Sequence, residues 1–282
     1  MRLGGGIERN YKNPEEWLAL VKELGYSAVL SPIDCRADSS TRKEYLACAK
    51  AHDLVIGEVG VWKNCLSKDD AERKVAMEYA KAQLELAEEL GACCCVNIIG
   101  SRHEIWDSFD AENYEPYIYE LAVDSVREII DAVKPKNTFY TIEPMPWMVP
   151  DSPEQYLELI KDVDRDAFGV HLDYVNMINC PKRYVQSTKF IRHCFELLGP
   201  YIKSIHGKDT IMDRAYTTLI HEVKPGDGTL DYVKILPMVE KLGADIPFFI
   251  EHLPDFETYK QTAAYIREQG KLAGVTIKDA KM

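Results

Sequence analysis

The strongest constraint on the fold is an alternation. Short apolar runs and longer segments of helical periodicity follow one another along the whole chain. The runs are "RLGGGI", "YSAVLSP", "LVIGEVGVW", "CCCVNIIG", "TFYTIEP", "FGVHLD", "IKSIHGKD" and "PFFIEHL". Helical patterns fall at 14–24, 40–52, 69–90, 112–133, 153–162, 183–198, 229–242 and 256–273. The segment 69–90 is the plainest, with Val75, Tyr79, Ala82, Leu86 and Leu90 at helical spacing and Gly91 as its stop. "ELGY" and "KLGA" read as further stops, and Pro14 and Pro153 as first-turn residues, Pro153 behind a Ser152 cap. Eight apolar runs alternating with eight helices match a closed barrel of the (β/α)8 type.

An open doubly wound sheet is the competing α/β architecture. It more often carries a glycine-rich phosphate turn after an early strand. "GGGIER" is not that turn, because it lies inside the first apolar run and no helix opens on it. No linker, low-complexity tract or short repeat divides the chain. The expectation is one (β/α)8 TIM barrel domain over residues 1–282, with its active site at the C-terminal ends of the strands.

Charge narrows the partners. A formal net charge of −12 opposes binding to a polyanion, and no dense Lys/Arg cluster offsets it. The N-terminal residues lack an apolar core of signal-peptide length, and no apolar run reaches the roughly 18 residues of a membrane span. The eight cysteines are scattered apart from Cys93, Cys94 and Cys95, which lack C-x-x-C spacing and sit in an apolar run. They read as small core residues of a reduced, cytoplasmic protein.

A barrel of this kind gathers functional side chains at the C-terminal ends of its strands. The last four runs supply Glu143 at the end of "TFYTIEP", Asp173 at the end of "FGVHLD", His206 in "IKSIHGKD" and Glu251 in "PFFIEHL". Strands five to eight are neighbours in a barrel, so these four groups converge at its mouth. Each has a plain structural reading taken alone: a loop carboxylate, a cap, a hydrogen-bonded core histidine. Glu251 fits such a reading least, since it follows Phe248, Phe249 and Ile250 directly. Three converging carboxylates repel one another and are costly to desolvate, and a divalent cation removes that cost. Three oxygen ligands and one imidazole suit Mn²⁺, Mg²⁺, Co²⁺ or Zn²⁺.

With these residues in view, the chain resembles the xylose isomerase-like TIM barrels, the sugar phosphate isomerase/epimerase superfamily. The motifs that carry the resemblance are "TIEP", "HLDYVNM", "IHGKD", "PGDGTLDY" and "FFIEH". It implies that Glu143, Asp173, His206 and Glu251 bind the metal, as their equivalents do in the ketose 3-epimerase branch, and that the two glutamates also move protons. Two positions depart from that branch. Asn176 stands where those epimerases carry a substrate-contacting histidine, and Val149 where they tend to carry a further glutamate. Lys208 and Asp209 after His206 look more like the broader superfamily, which includes enzymes of cyclic or oxidised polyols.

The chemistry is a proton transfer. A cation bound to a carbonyl and its neighbouring hydroxyl acidifies the C–H bond between them, and two carboxylates flanking that carbon exchange its proton. Glu143 and Glu251 take those roles in this reading. Lys208 either stabilises the oxyanion or pairs with an acid. Asp209 and Asn176 are candidate substrate contacts, and His171 shares a strand side with Asp173. Glu58, Trp62, His103 and Trp106 lie near the ends of strands three and four and Trp147 follows strand five, so they are further substrate candidates. Aromatic rings suit the apolar faces of sugars, and they also fill cores. Thr229 or Asp227 is the expected cap of the helix after the "PGDGTLDY" loop.

The leading expectation is a metal-dependent isomerase or epimerase of a sugar, sugar phosphate or related keto-polyol. A lyase or dehydratase on a keto-sugar or keto-inositol starts with the same proton abstraction and then loses water. A catalytically silent sugar-binding barrel is a third class. The expected partners are a small-molecule sugar or polyol and a second copy of the chain, with no nucleic acid and no membrane.

Overall fold

The computed structural model describes residues 1–281. Ten strands are present among them: β1 (Arg2–Gly5), β2 (Ala28–Leu30), β3 (Val55–Gly60), β4 (Cys94–Asn97), β5 (Tyr140–Ile142), β6 (Phe168–Asp173), β7 (Ile202–Gly207), β8 (Asp209–Met212), β9 (Ile220–Val223) and β10 (Pro247–Ile250). The helices are α1 (Pro14–Leu24), α2 (Ser39–Ala51), α3 (Asp70–Leu90), α4 (Pro116–Val133), α5 (Pro153–Val163), α6 (Pro181–Val185), α7 (Ser187–Leu198), α8 (Tyr232–Glu240) and α9 (Phe256–Ala273).

Eight of the strands form one parallel sheet in the order β1-β10-β7-β6-β5-β4-β3-β2. Its two edges meet where the Ser27 amide donates to the Leu3 carbonyl at 2.9 Å, which brings the sheet close to a full circle. The helices lie outside, as the alternation predicts. Their ends follow local chemistry. Asn13, Asp38, Asp69 and Ser152 each accept a backbone N–H from the first turn, and Gly25 and Gly91 end α1 and α3 at φ of 70° and 65°.

Phe249 explains the glycine-rich first strand. Its ring fills the barrel interior so tightly that a Cβ on Gly4 would lie 2.4 Å from one ring edge, and one on Gly57 would lie 2.5 Å from the other. The absence of a side chain at both positions is a packing requirement. It has nothing to do with binding phosphate.

Several sequence expectations shift. On α3 the buried face runs through Ala76, Ala80, Leu84 and Ala87, while Val75 is 69 % exposed, because small residues let the helix sit close to the barrel. The segment 112–133 begins as a 3-10 turn, Ala111–Tyr114, and becomes α-helical only at Pro116. The segment 183–198 is divided into α6 and α7 at Gln186. Asp231, and neither Thr229 nor Asp227, caps α8 by accepting from the Lys234 amide, and "KLGA" lies past the end of that helix. Between β7 and α8 the chain makes an antiparallel hairpin, β8–β9, that stands at the barrel mouth.

The cysteines are all free thiols; Cys94 and Cys95 are buried, and burial holds both well above the ordinary thiol range. They pack as apolar side chains. Among the described residues no helix is long and apolar enough to cross a membrane.

Candidate metal centre and active site

Strand register decides which side chains meet. Asp173, the last residue of β6, pairs directly with His206 on β7, and Phe249 of β10 pairs with His206 from the other side. Glu143 follows the last residue of β5 and Glu251 the last residue of β10. The four side chains therefore close on one point, with one ligand atom from each lying within 4.8 Å of the others. His206 Nδ1 is 2.8 Å from Glu251 Oε2, 3.3 Å from Glu143 Oε1 and 3.9 Å from Asp173 Oδ2.

Asp173 divides its two oxygens between structure and site. Oδ1 accepts the Asn176 amide at 2.9 Å, which fixes the turn after β6. Oδ2 is buried without a hydrogen-bond partner, as is Glu251 Oε2. Asn176 turns its own amide group to Glu143 Oε1 and to the Pro144 carbonyl, both at 3.1 Å.

Lys208 is buried at the centre of this group. Its Nζ lies 2.7 Å from both Asp173 Oδ2 and Glu251 Oε2, at ion-pair distance but without hydrogen-bond geometry. Two carboxylates about 4 Å apart repel by about 4 kcal/mol at an effective dielectric of about 20, so such a cluster needs cations. Lys208 and a protonated His206 supply them here. Burial disfavours charge on both, yet the surrounding carboxylates outweigh it and hold each well above its ordinary value. Burial, and then the charge of Glu251, push Glu143 up to about 7. Burial pushes Glu251 upward too, but His206 and Lys208 outweigh that and hold it well below the carboxylate range. Two carboxyls in one pocket thus differ in protonation.

Beneath the cluster lies a second layer. Glu58 Oε2 is 3.4 Å from His206 Nε2, and Glu58 Oε1 is 3.3 Å from His171 Nδ1 and accepts from the Ser204 hydroxyl. The His171 and His206 rings meet edge to face with centroids 4.0 Å apart. His171 is fully buried and, by that burial above all, is lowered to about 4, so it is neutral. Glu58 and both histidines can also surround a cation. Glu58 already has a hydroxyl donor, however, which suits it to holding His206 in place.

The donor set fits a divalent cation. It offers buried oxygens on Asp173 and Glu251 that accept no hydrogen bond and are faced by the Lys208 ammonium, a third carboxylate, and an imidazole whose other nitrogen lies 3.4 Å from the Glu58 carboxylate.

The remaining candidates separate. Trp62, Trp106, Trp147 and Glu58 line the same cavity as the cluster, a space of about 1290 Å³ at the barrel mouth. The Trp147 indole donates to the Asp107 carbonyl at 2.8 Å, tying the loops after β4 and β5 together. His103 is exposed and stays out of the cavity, its Nδ1 accepting the Ile105 amide at 2.9 Å within a turn. Asp209 is also turned away. It accepts the amides of Thr210, Leu230 and Gly226 at 2.8, 3.0 and 3.1 Å and braces the loop to α8. Backbone amides thus occupy both carboxylate oxygens of Asp209 and the Nδ1 of His103. His171 sits below the cluster, where Glu58 and His206 screen it from the mouth.

One residue escaped the sequence reading. Glu222 on β9 lines the cavity, accepts from or faces His252 Nδ1 at 2.9 Å, and lies 3.5 Å from Lys208 Nζ. Nothing in "LIHEVKPG" marks it, since the hairpin that delivers it was itself not apparent.

A family model described as xylose isomerase-like TIM barrel matches residues 18–269. An uncharacterised protein of Methanocaldococcus jannaschii is 24 % identical over 194 residues, which cover 67 % of this chain and 60 % of that protein. The chain thus spans less than two thirds of that relative's length. Among solved structures, a D-tagatose 3-epimerase-like protein superposes with a TM-score of 0.72 at 19 % identity, covering 97 % of this chain and 98 % of the other. A xylose isomerase-like TIM barrel protein from Mycobacterium smegmatis, solved in complex with magnesium, gives 0.68 at 19 % identity over 96 % and 92 % of the two chains. At such identities these likenesses establish the fold.

Proposed function

The chain belongs to the xylose isomerase-like TIM barrel family, and on that premise we propose that it is a divalent-metal-dependent isomerase or epimerase of a sugar or related keto-polyol. The observation that carries this reading is the convergence of Glu143, Asp173, His206 and Glu251 at the C-terminal ends of four adjacent strands. A similar structure described as D-tagatose 3-epimerase-like and another in complex with magnesium agree with it.

A divalent cation held by these four residues would draw electron density from a substrate carbonyl and the hydroxyl beside it, making the C–H bond between them acidic. The protein supplies the rest. Glu143 and Glu251 exchange the proton of that carbon, one accepting it and the other returning one. Asn176 steadies Glu143 through its amide. Lys208 places a fixed positive charge beside the oxygens on which negative charge develops. The proton leaves carbon and one returns to it, so the product has the mass of the substrate.

The test is deuterium uptake from D₂O into keto-sugars and keto-polyols, with Mn²⁺, Co²⁺ or Mg²⁺ supplied and the products followed by NMR and mass spectrometry. Uptake at the carbon next to a carbonyl, with no other change of mass, is the expected result. No uptake and no turnover across the panel would remove the proposal.

A further inference from the structure

Lys208 is the single residue between β7, which delivers His206, and β8, which starts the hairpin at the barrel mouth. Its backbone is anchored. The Lys208 carbonyl accepts the Tyr232 hydroxyl at 2.6 Å, and the carboxylate of Asp209 beside it accepts the amides of Thr210, Gly226 and Leu230. The side chain is the part that can move, a compact charge on a flexible four-carbon stem. Its Nζ faces the two oxygens that a divalent cation needs most, Asp173 Oδ2 and Glu251 Oε2, each 2.7 Å away. Neither contact has hydrogen-bond geometry, so charge alone keeps the ammonium there.

Glu222 offers it another partner. Glu222 Oε2 lies 3.5 Å from Nζ, while Oε1 is 2.9 Å from His252 Nδ1. Glu143 is 3.7 Å from Nζ but belongs to the ligand set. Among the described residues, Glu222 is therefore the one carboxylate within ion-pair reach of Lys208 that a cation leaves free. Glu222 stands on β9, opposite Thr210 of β8. Its contacts with Lys208 and His252 are, among the described residues, the ion pairs that join β9 to the barrel.

We propose, building on the metal centre of the reading above, that Glu222 is a positioning residue that receives the Lys208 ammonium when a divalent cation takes Asp173 and Glu251. Two cations on the same buried oxygens repel strongly, and an ammonium displaced without a new partner is costly to bury. Movement of Nζ toward Glu222 Oε2 meets both demands. It keeps the positive charge at the edge of the site and ties β9 to the mouth. Cation binding and hairpin order are then coupled, each favouring the other.

The experiment is a double-mutant cycle on Mn²⁺ affinity, measured by calorimetry in wild type, Glu222→Gln, Lys208→Met and the double variant. Glutamine keeps an acceptor for His252 and removes the charge. With Lys208 present, Glu222→Gln should weaken Mn²⁺ binding by about tenfold or more, a coupling usual for residues of one ion-pair network. In the Lys208→Met background it should cost only about threefold, through the partly screened field of Glu222 on the cation. Equal losses in both backgrounds would overturn the inference. Amide hydrogen exchange gives a second readout that needs no variant. Residues 218–223 include none of the four ligands, and saturating Mn²⁺ should slow their exchange by about tenfold in wild type but not in Glu222→Gln. Exchange there that ignores Mn²⁺ in wild type would also overturn it. If wild type binds no divalent cation, the metal centre fails and this inference with it, whereas binding without coupling removes the inference alone.

Discussion

Glu58 Oε2 lies 3.4 Å from His206 Nε2, while the opposite nitrogen of that ring faces the carboxylates of Glu251 and Glu143. One carboxylate thus holds the imidazole from below so that Nδ1 is presented to the centre above. Burial raises Glu58, but the charge on His206 and the hydrogen bonds from His206 and Ser204 oppose it and hold the carboxylate below its ordinary value. Partners of this kind fix the tautomer and ring orientation of a metal-binding histidine, and their loss costs about 10–100-fold in metal affinity. Glu58→Gln should therefore weaken Mn²⁺ or Co²⁺ binding by about tenfold, and Glu58→Ala by more, in isothermal titration calorimetry. Wild-type affinity in both variants would show that Glu58 serves only the packing of the barrel floor.

Lys208 gives the opposite signature. Its ammonium competes with a cation for Asp173 and Glu251, each 2.7 Å from Nζ. In Lys208→Met the uncompensated carboxylates should bind a divalent cation about tenfold more tightly, the scale of one nearby charge in a partly screened site. The same variant should lose about 100-fold or more in deuterium exchange if the charge stabilises the developing oxyanion. Thermal unfolding should show a lower Tm than wild type without metal and a larger rise on adding it. A variant that binds metal less well would contradict this account of the lysine.

Metal uptake should release protons. In the metal-free protein the neighbouring carboxylates hold His206 well above its ordinary value against the effect of burial, and Glu143 lies at about 7 through burial and the Glu251 charge. A cation needs both groups deprotonated, so affinity should fall as pH drops through 7. Calorimetry at pH 6.5 in two buffers of different ionisation enthalpy should report about one to two protons released per metal. No dependence on the buffer would mean that metal does not bind at these residues.

The parts of this architecture that the sequence made legible share a cause. Glu143, Asp173 and Glu251 each end an apolar run, and a strand of known direction delivers them to the same face of a barrel. The pairing of Glu58 with His206 joins residues 148 positions apart, and neither spacing nor composition encodes it. The β8–β9 hairpin was hidden because "DTIM" and "IHEV" are short and only partly buried, so neither shows a clear period. With the hairpin unseen, Glu222 had no position. His103 and Asp209 had the right chemistry near the right strand ends, but local backbone amides had claimed their acceptor atoms. Such claims depend on loop conformation, which residue type alone does not specify.

The loop bearing Trp106 is held by an acid, and this gives it a defined pH response. Glu112 lies 2.5 Å from Lys68 Nζ, accepts from the Tyr117 hydroxyl, and accepts from Arg102 Nε at 3.1 Å. The Lys68 contact first, and then Tyr117, lower its carboxyl from 4.5 to about 2 despite some desolvation. An acid depressed on folding contributes stability that is fully present above its unfolded value and lost as pH falls through its folded one. The clamp should therefore be intact above about pH 4.5, weaken progressively below that, and be gone near pH 2. Glu112→Gln should lower Tm at pH 7, with the deficit against wild type shrinking through that window. It should also speed amide hydrogen exchange in residues 101–117 while leaving the barrel strands protected, since the clamp joins only the loops after β3 and β4 and the start of α4. A Tm deficit that stays constant from pH 7 down to pH 2 would show that Glu112 acts through packing, with no part played by its charge.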